Sequence, residues 1–274
     1  MASFVVNLLR GAQKRIQKTF HNPYKQFGIT KAGITALKHL PKKDIYHWNF
    51  LSKQIAFYDK EEFIHSLKEI FADEIYKIQL PDNALIIDCG ANMGMSVIYF
   101  KRLNPNVRII AYEPDEKNFL LLAENVKSFD LKNIELKKEA VWIEDTFISF
   151  SNEGTMSSKI VDKPETASST KIKAARLKDS ISEKTVLLKL DIEGAEYSVI
   201  KDIQEKLFLI ENIFLEYHGT FEQNNQLAEI LTILTNNNFK YYIKEADNVY
   251  SHPFFDHKRH GNYDVQLNIF CFKK

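Results

Sequence analysis

Only two cysteines occur among the 274 residues, Cys89 and Cys271, too few for a disulfide framework. Both fall in apolar, strand-like runs and read as reduced, buried thiols, as expected of a reducing compartment such as the cytoplasm. No apolar run approaches the roughly 20 residues needed to cross a bilayer. The short apolar patch Phe4-Val5-Val6 is cut by Asn7 and Arg10, so the charged-then-apolar order of a secretory leader is missing. Neither sign of charge dominates: 37 lysines and arginines face 36 aspartates and glutamates, which offers no broad field for nucleic acid. Also lacking are an internal repeat, a long low-complexity tract, the G-x-G-x-x-G turn of dinucleotide sites and a paired zinc-ligand spacing.

What is present divides the chain in two. Residues 1–78 read as mostly helical. Val5, Leu8, Leu9, Ala12 and Ile16 mark one helical face, with Arg10, Lys14, Arg15 and Lys18 on the other sides. Such a segment docks on the domain or on a second subunit; as an alternative, residues 2–20 rest on an anionic membrane surface, such as its inner face. Asp59 followed by Glu62 predicts a capped helix carrying Phe63, Ile64, Leu67, Ile70 and Phe71. Residues 79–274 alternate apolar runs with helical patterns, the signature of a mainly parallel α/β sheet. Strands are expected near 84–88, 108–112, 134–138, 185–190, 212–217, 239–243 and 265–272. The Ser-, Thr- and Lys-rich stretch 151–176 reads as an exposed hairpin or loop.

The densest signal is Asp88-Cys89-Gly90-Ala91-Asn92-Met93-Gly94, a strand, a glycine turn and a helix start, followed by Glu113 at the end of the next strand. Gly90 and Gly94 are expected to let backbone approach a ligand, and a strand-end carboxylate takes both hydroxyls of a ribose. The spacing favours S-adenosylmethionine over a dinucleotide, because no pyrophosphate needs bare backbone. In such a sheet, ligands bind outside the carboxyl ends of the parallel strands. That rule gathers the glycine turn, Glu113, the block Asp191-Ile192-Glu193-Gly194-Ala195-Glu196 and the run Leu215-Glu216-Tyr217-His218.

Together with Tyr112-Glu113-Pro114, the glycine turn and Leu188-Lys189-Leu190-Asp191-Ile192-Glu193-Gly194-Ala195-Glu196 resemble the FkbM-type class I methyltransferases, over roughly residues 84–218. Gly154-Thr155-Met156-Ser157-Ser158 looks like that family's small-residue segment, whereas Leu177-Lys178-Asp179 stands where the family often has Leu-Asp-Asp. The resemblance implies a Rossmann-like seven-stranded, mostly parallel sheet with an antiparallel last strand, besides the N-terminal helical segment. It also implies a bacterial-type enzyme using S-adenosylmethionine. Asp88, Gly90, Ala91, Asn92, Gly94, Glu113 and Pro114 carry over as cofactor residues, with Asp115 near the adenosine and Ala140-Val141 bordering the adenine. Glu139 is either a partner of the adenine amino group or a surface carboxylate.

The implied acceptor is a hydroxyl, on a sugar of a surface glycan or its precursor, or on a polyketide-type metabolite. A non-catalytic adenosine-binding module is the alternative class. For catalysis His218 is the first candidate base, because imidazole titrates near neutral pH; Asp191, beside the expected methyl, is the second. Glu216 shares its strand face and orients His218 or binds substrate, while Glu193 flanks the turn. Asp191, Glu193, Glu216 and His218 also make an oxygen-rich set for a divalent metal, although no ligand spacing singles it out and no metal site is assigned. Glu196 reads as a substrate contact or a helix N-terminal carboxylate. Tyr250, His252 and His257, in the long segment 246–264, read as substrate contacts, with Phe254 and Phe255 plugging the core beneath.

Overall fold

In a computed structural model the described residues are 22, 24–152, 158–161, 169–255 and 261–273. The helix expected over residues 2–20, residues 154–157 and His257 lie outside them. Two compact units divide between Ile75 and Tyr76.

The first unit contains helix α1 (Lys31–Lys38), strands β1 (Tyr46–Phe50) and β2 (Lys53–Phe57), and helix α2 (Lys60–Ser66), which runs on as a π-helical turn over Leu67–Ala72. Asp59 caps α2 as its sequence predicts, accepting from the Glu62 N–H at 2.8 Å. Phenylalanines fill the core: Phe57 stacks on Phe63 at 4.2 Å, and Phe27 and Phe50 meet Phe71 edge-on. The β1–β2 hairpin departs from the mostly helical reading. Its two-residue turn is Leu51-Ser52, with φ of 52° and 63°. Both residues sit in the left-handed region that Asn-Gly would announce, so the usual hairpin signal is missing.

The second unit is built on a seven-stranded sheet. In chain order come β3 (Leu85–Cys89), helix α3 (Met95–Leu103), β4 (Arg108–Tyr112), helix α4 (Glu116–Ser128) and β5 (Ile134–Lys137). A smaller sheet follows, formed by β6 (Ala140–Trp142), β7 (Thr146–Asn152), β8 (Ser158–Val161) and β9 (Ser169–Arg176), in the order β6-β9-β7-β8. The stretch expected to be a hairpin or loop is therefore most of a four-stranded sheet. Next are α5 (Leu177–Ser180), β10 (Thr185–Leu190), α6 (Glu196–Asp202), β11 (Ile210–Gly219), α7 (Asn224–Asn236), β12 (Lys240–Glu245) and β13 (Val265–Phe272).

The main sheet runs β12-β13-β11-β10-β3-β4-β5. Its strands are parallel except β13, which pairs antiparallel with β11 and β12. All seven strands lie where the sequence places them, and the antiparallel last strand is the one the resemblance implies. Every residue of β3 and β10 is buried, because helices cover both faces and leave no alternation of polar residues. Chain order reverses between β3 and β10, so a crevice opens at the carboxyl ends of these two strands. Cys89 and Cys271 are buried free thiols. No helix among the described residues is long and apolar enough to cross a membrane.

Candidate active site

The turn after β3 is fastened from β4: the Gly90 and Ala91 N–H groups both donate to the Tyr112 carbonyl, at 3.0 and 2.9 Å. Gly90 has φ of +85° and Gly94 +92°. A methyl at Gly90 would lie 1.9 Å from the Asp191 carbonyl, and one at Gly94 would lie 2.7 Å from Leu122 Cδ1. Protein packing around the turn thus already demands both glycines. Asn92 enters the left-handed region at φ 49°, and its side-chain oxygen accepts from the Met93 N–H at 2.6 Å.

Glu113 follows β4 and is buried, yet its carboxylate has backbone partners. Oε2 accepts from the Asn92 N–H at 2.8 Å and Oε1 from the Asp115 N–H at 2.9 Å. Burial, only partly offset by those two donors, pushes its carboxyl up to about 8. Asp115 turns its side chain to cap α4, accepting from the Asn118 N–H at 2.9 Å. Ala140 and Val141 are buried at the start of β6. Glu139 beside them is held by Lys173 at 2.5 Å.

Asp88 does not face open space. Its Oδ2 accepts from Ser96 Oγ at 2.5 Å, and Oδ1 lies 3.3 Å from Lys189 Nζ, outside hydrogen-bond geometry. Lys189, 2% exposed, donates to the Gly90 carbonyl at 2.8 Å and also reaches Asp191 Oδ2 at 3.4 Å. Burial opposes its charge, but the fields of Asp88 and Asp191 outweigh it and keep the ammonium charged. Sequence reasoning gave Lys189 no role. The available signal is a lone lysine inside the apolar run Thr185–Leu190, a position that burial tolerates only with paired charge.

His218, at the end of β11 and 5% exposed, sits among carboxylates. Its Nδ1 lies 3.1 Å from Glu196 Oε1, and its Nε2 faces Glu216 at 3.7 Å and Glu193 at 3.9 Å. Burial works against its charge, but Glu196, Glu193 and Asp191 prevail and push the imidazole up to about 10. With carboxylates facing both nitrogens the ring is favoured as the imidazolium, which has no lone pair to take a proton. That setting counts against the expected role as base. Glu196, 1% exposed, accepts from the Ile192 and Gly194 N–H groups besides facing His218, which makes it a support for the ring. Glu193 adopts φ 55°, and burial, opposed by His218, pushes its carboxyl up to about 7. Asp191, Glu193 and His218 bring their ligand atoms within 4.8 Å of one another.

The segment before β13 contributes differently than expected. Tyr250 is buried against Phe221 and donates to Asp264 at 2.5 Å, while Asp264 also accepts from the Phe221 N–H at 3.0 Å. Its hydroxyl thus anchors the segment. His252 is exposed in a turn, and Phe254 and Phe255 are 94% and 91% exposed, so they do not plug the core. Tyr263 donates to the Glu193 carbonyl at 2.7 Å and packs its ring on His218.

The profile of the Methyltransferase FkbM domain matches residues 88–241. Methyltransferase 1 of Beauveria bassiana is 26% identical over 213 residues, 68% of this chain and 84% of that protein. Methyltransferase sdnD of Sordaria araneosa is 28% identical over 216 residues, 65% of this chain and 82% of that protein. The solved Methyltransferase FkbM from Methylobacillus flagellatus superposes with a TM-score of 0.47 at 17% identity, covering 76% of this chain and 47% of that one. These two relatives are fungal, so they give the expected bacterial character no support. With a sheet order of this kind and a profile match over more than half its residues, the chain belongs to the FkbM methyltransferase family.

Proposed function

We propose that the protein is an S-adenosylmethionine-dependent O-methyltransferase acting on a hydroxyl, on a sugar of a glycan or glycan precursor. One observation carries this reading: a glycine turn pinned to a buried strand-end glutamate opens beside an acid-histidine cluster at the same sheet edge. The residues fit the methyl donor by their chemistry. When ionised, each Glu113 oxygen has one backbone donor and keeps a lone pair for a ribose hydroxyl. Asp191, Glu193 and Glu216 surround the neighbouring space with negative charge, which suits a sulfonium. When bound, the cofactor supplies a methyl group on that sulfonium, whose sulfur keeps the bonding pair on transfer.

The chain's own residues then position the acceptor and remove a proton. Lys189 fixes the glycine turn against Asp191. Glu196 fixes His218, and the imidazolium in turn draws Glu193 and Glu216 together. The acceptor proton passes to a carboxylate of this cluster rather than to His218. Ala140-Val141 borders the adenine. The unit before residue 76 and the segment 246–264 lie largely outside the matched region and supply specificity or an oligomer contact.

Calorimetric titration with S-adenosylmethionine and, separately, NAD tests the cofactor. Binding of the methyl donor alone is expected; binding of NAD, or of neither, overturns the assignment. A mass-spectrometric screen of free sugars, glycosides and polyketide-type alcohols then identifies the acceptor, and methylation on nitrogen or carbon alone would refute the O-methyl reading.

A further inference from the structure

At the ends of β10 and β11 the buried His218 faces the partly exposed Asp191 and Glu193. We infer that Asp191, Glu193 and His218 Nε2 bind a divalent cation of the magnesium or manganese class, which seats the acceptor hydroxyl. This rests on the proposed location of the acceptor, and it assigns the cluster a ligand of its own.

Two independent observations point to an ion. First, three ligand atoms from two strand ends fall within 4.8 Å of one another, a spread one ion closes with small side-chain movements. Second, His218 is 5% exposed and aims Nε2 into the cluster without a hydrogen bond: its nearest acceptors are 3.7 and 3.9 Å away. The opposite ring nitrogen is already committed to Glu196 at 3.1 Å, and Glu196 is itself fixed by the Ile192 and Gly194 N–H groups. A carboxylate behind a histidine, holding one nitrogen and leaving the other for a metal, is the arrangement that sets the tautomer of metal-ligating histidines.

The donor set selects the ion. Two carboxylates and one imidazole, with no thiolate in the set, favour magnesium or manganese over zinc. Such an ion would make a bound acceptor hydroxyl more acidic, and Glu216, the remaining carboxylate facing Nε2, is placed to accept its proton. Glu193 then serves as a ligand beside Asp191 and His218.

Manganese titration of the full chain, read by loss of the free-ion electron paramagnetic resonance signal without cofactor or acceptor, tests the site. One ion per chain is expected, displaced by excess magnesium. Asp191→Asn and Glu193→Gln should each weaken binding at least tenfold, and Glu196→Gln about ten- to a hundredfold. Circular dichroism confirms that each variant is folded; because both first variants change partly exposed groups, folding is retained. Absence of stoichiometric binding, or equal affinity in the folded variants, overturns the inference. S-adenosylmethionine affinity is measured in parallel: its loss with manganese binding intact would sink the proposed function alone, and methyl transfer undiminished by chelator would sink the cation alone.

Discussion

Replacing Glu113 by Gln separates the cost of burying a carboxylate from its use. Burial raises this carboxyl from 4.5 to about 8, an interval worth on the order of 4–5 kcal/mol, less whatever relaxation and water entry recover. Because the folded value is raised, Glu113 contributes its full share of stability below about pH 4.5 and loses it as pH rises through about 8. Glutamine never ionises, so the variant escapes that loss. It also gives up one acceptor, leaving the Asn92 or the Asp115 N–H without a partner at a cost of about 1–3 kcal/mol. Urea unfolding should therefore show the variant equal to or slightly below wild type at pH 5. Between pH 5 and 9 the variant should gain about 2–4 kcal/mol relative to wild type. Calorimetry at fixed pH should show S-adenosylmethionine affinity reduced by about 1.5–3 kcal/mol, the worth of a charged hydrogen bond. Parallel pH profiles for the two proteins would show that the carboxylate is not buried as an anion. Unchanged cofactor affinity would remove Glu113 from the ribose.

Three further substitutions probe the scaffold. Gly90→Ala must place a methyl 1.9 Å from the Asp191 carbonyl at a φ of +85°, and a stability loss of at least about 3 kcal/mol is expected in denaturant melts. A loss under about 1 kcal/mol would mean the turn is far looser than its geometry. Lys189→Met leaves Asp88 and Asp191 without their buried counter-charge and should cost about 3–5 kcal/mol by the same assay, an effect a neutral outcome would refute. Replacing Leu51-Ser52 with Asn-Gly relieves two left-handed residues and should raise stability by roughly 1–2 kcal/mol in thermal melts; no gain would contradict the hairpin turn.

The strands of the main sheet were legible because parallel strands buried on both faces read as short apolar runs, as in Leu85–Cys89 and Thr185–Leu190. Glu113 and the Asp191–Glu196 block were legible because the strand-end rule locates chemistry without coordinates. The β1–β2 hairpin was hidden by its Leu-Ser turn, and the β6–β9 sheet by a composition shared with loops. Phe254 and Phe255 misled because hydrophobicity predicts burial only on average, and a turn tip can expose both. The setting of His218 was beyond reach: its chemistry depends on carboxylates from positions 193, 196 and 216, whose distances no spacing encodes. A histidine read alone titrates near neutrality, whereas one wrapped in acids does not.

The charges behind the crevice explain why such costly groups persist. Asp88, Asp191, Glu193, Glu196 and Glu216 outnumber Lys189 and His218, and each cation has a fixed task. Lys189 ties the end of β3 to β10 through Gly90, Asp88 and Asp191. His218 ties β11 to the turn before α6 through Glu196. Apolar side chains of similar volume would bind these strands at least as well, since buried ion pairs rarely repay their desolvation. Their remaining value is the negative field that two cations leave uncancelled, directed where Asp191, Glu193 and Glu216 are partly open to solvent. What enters there is favoured if it brings positive charge, as a sulfonium and a divalent ion both do. The field that favours a proton on His218 is therefore the same field that a bound cation would satisfy.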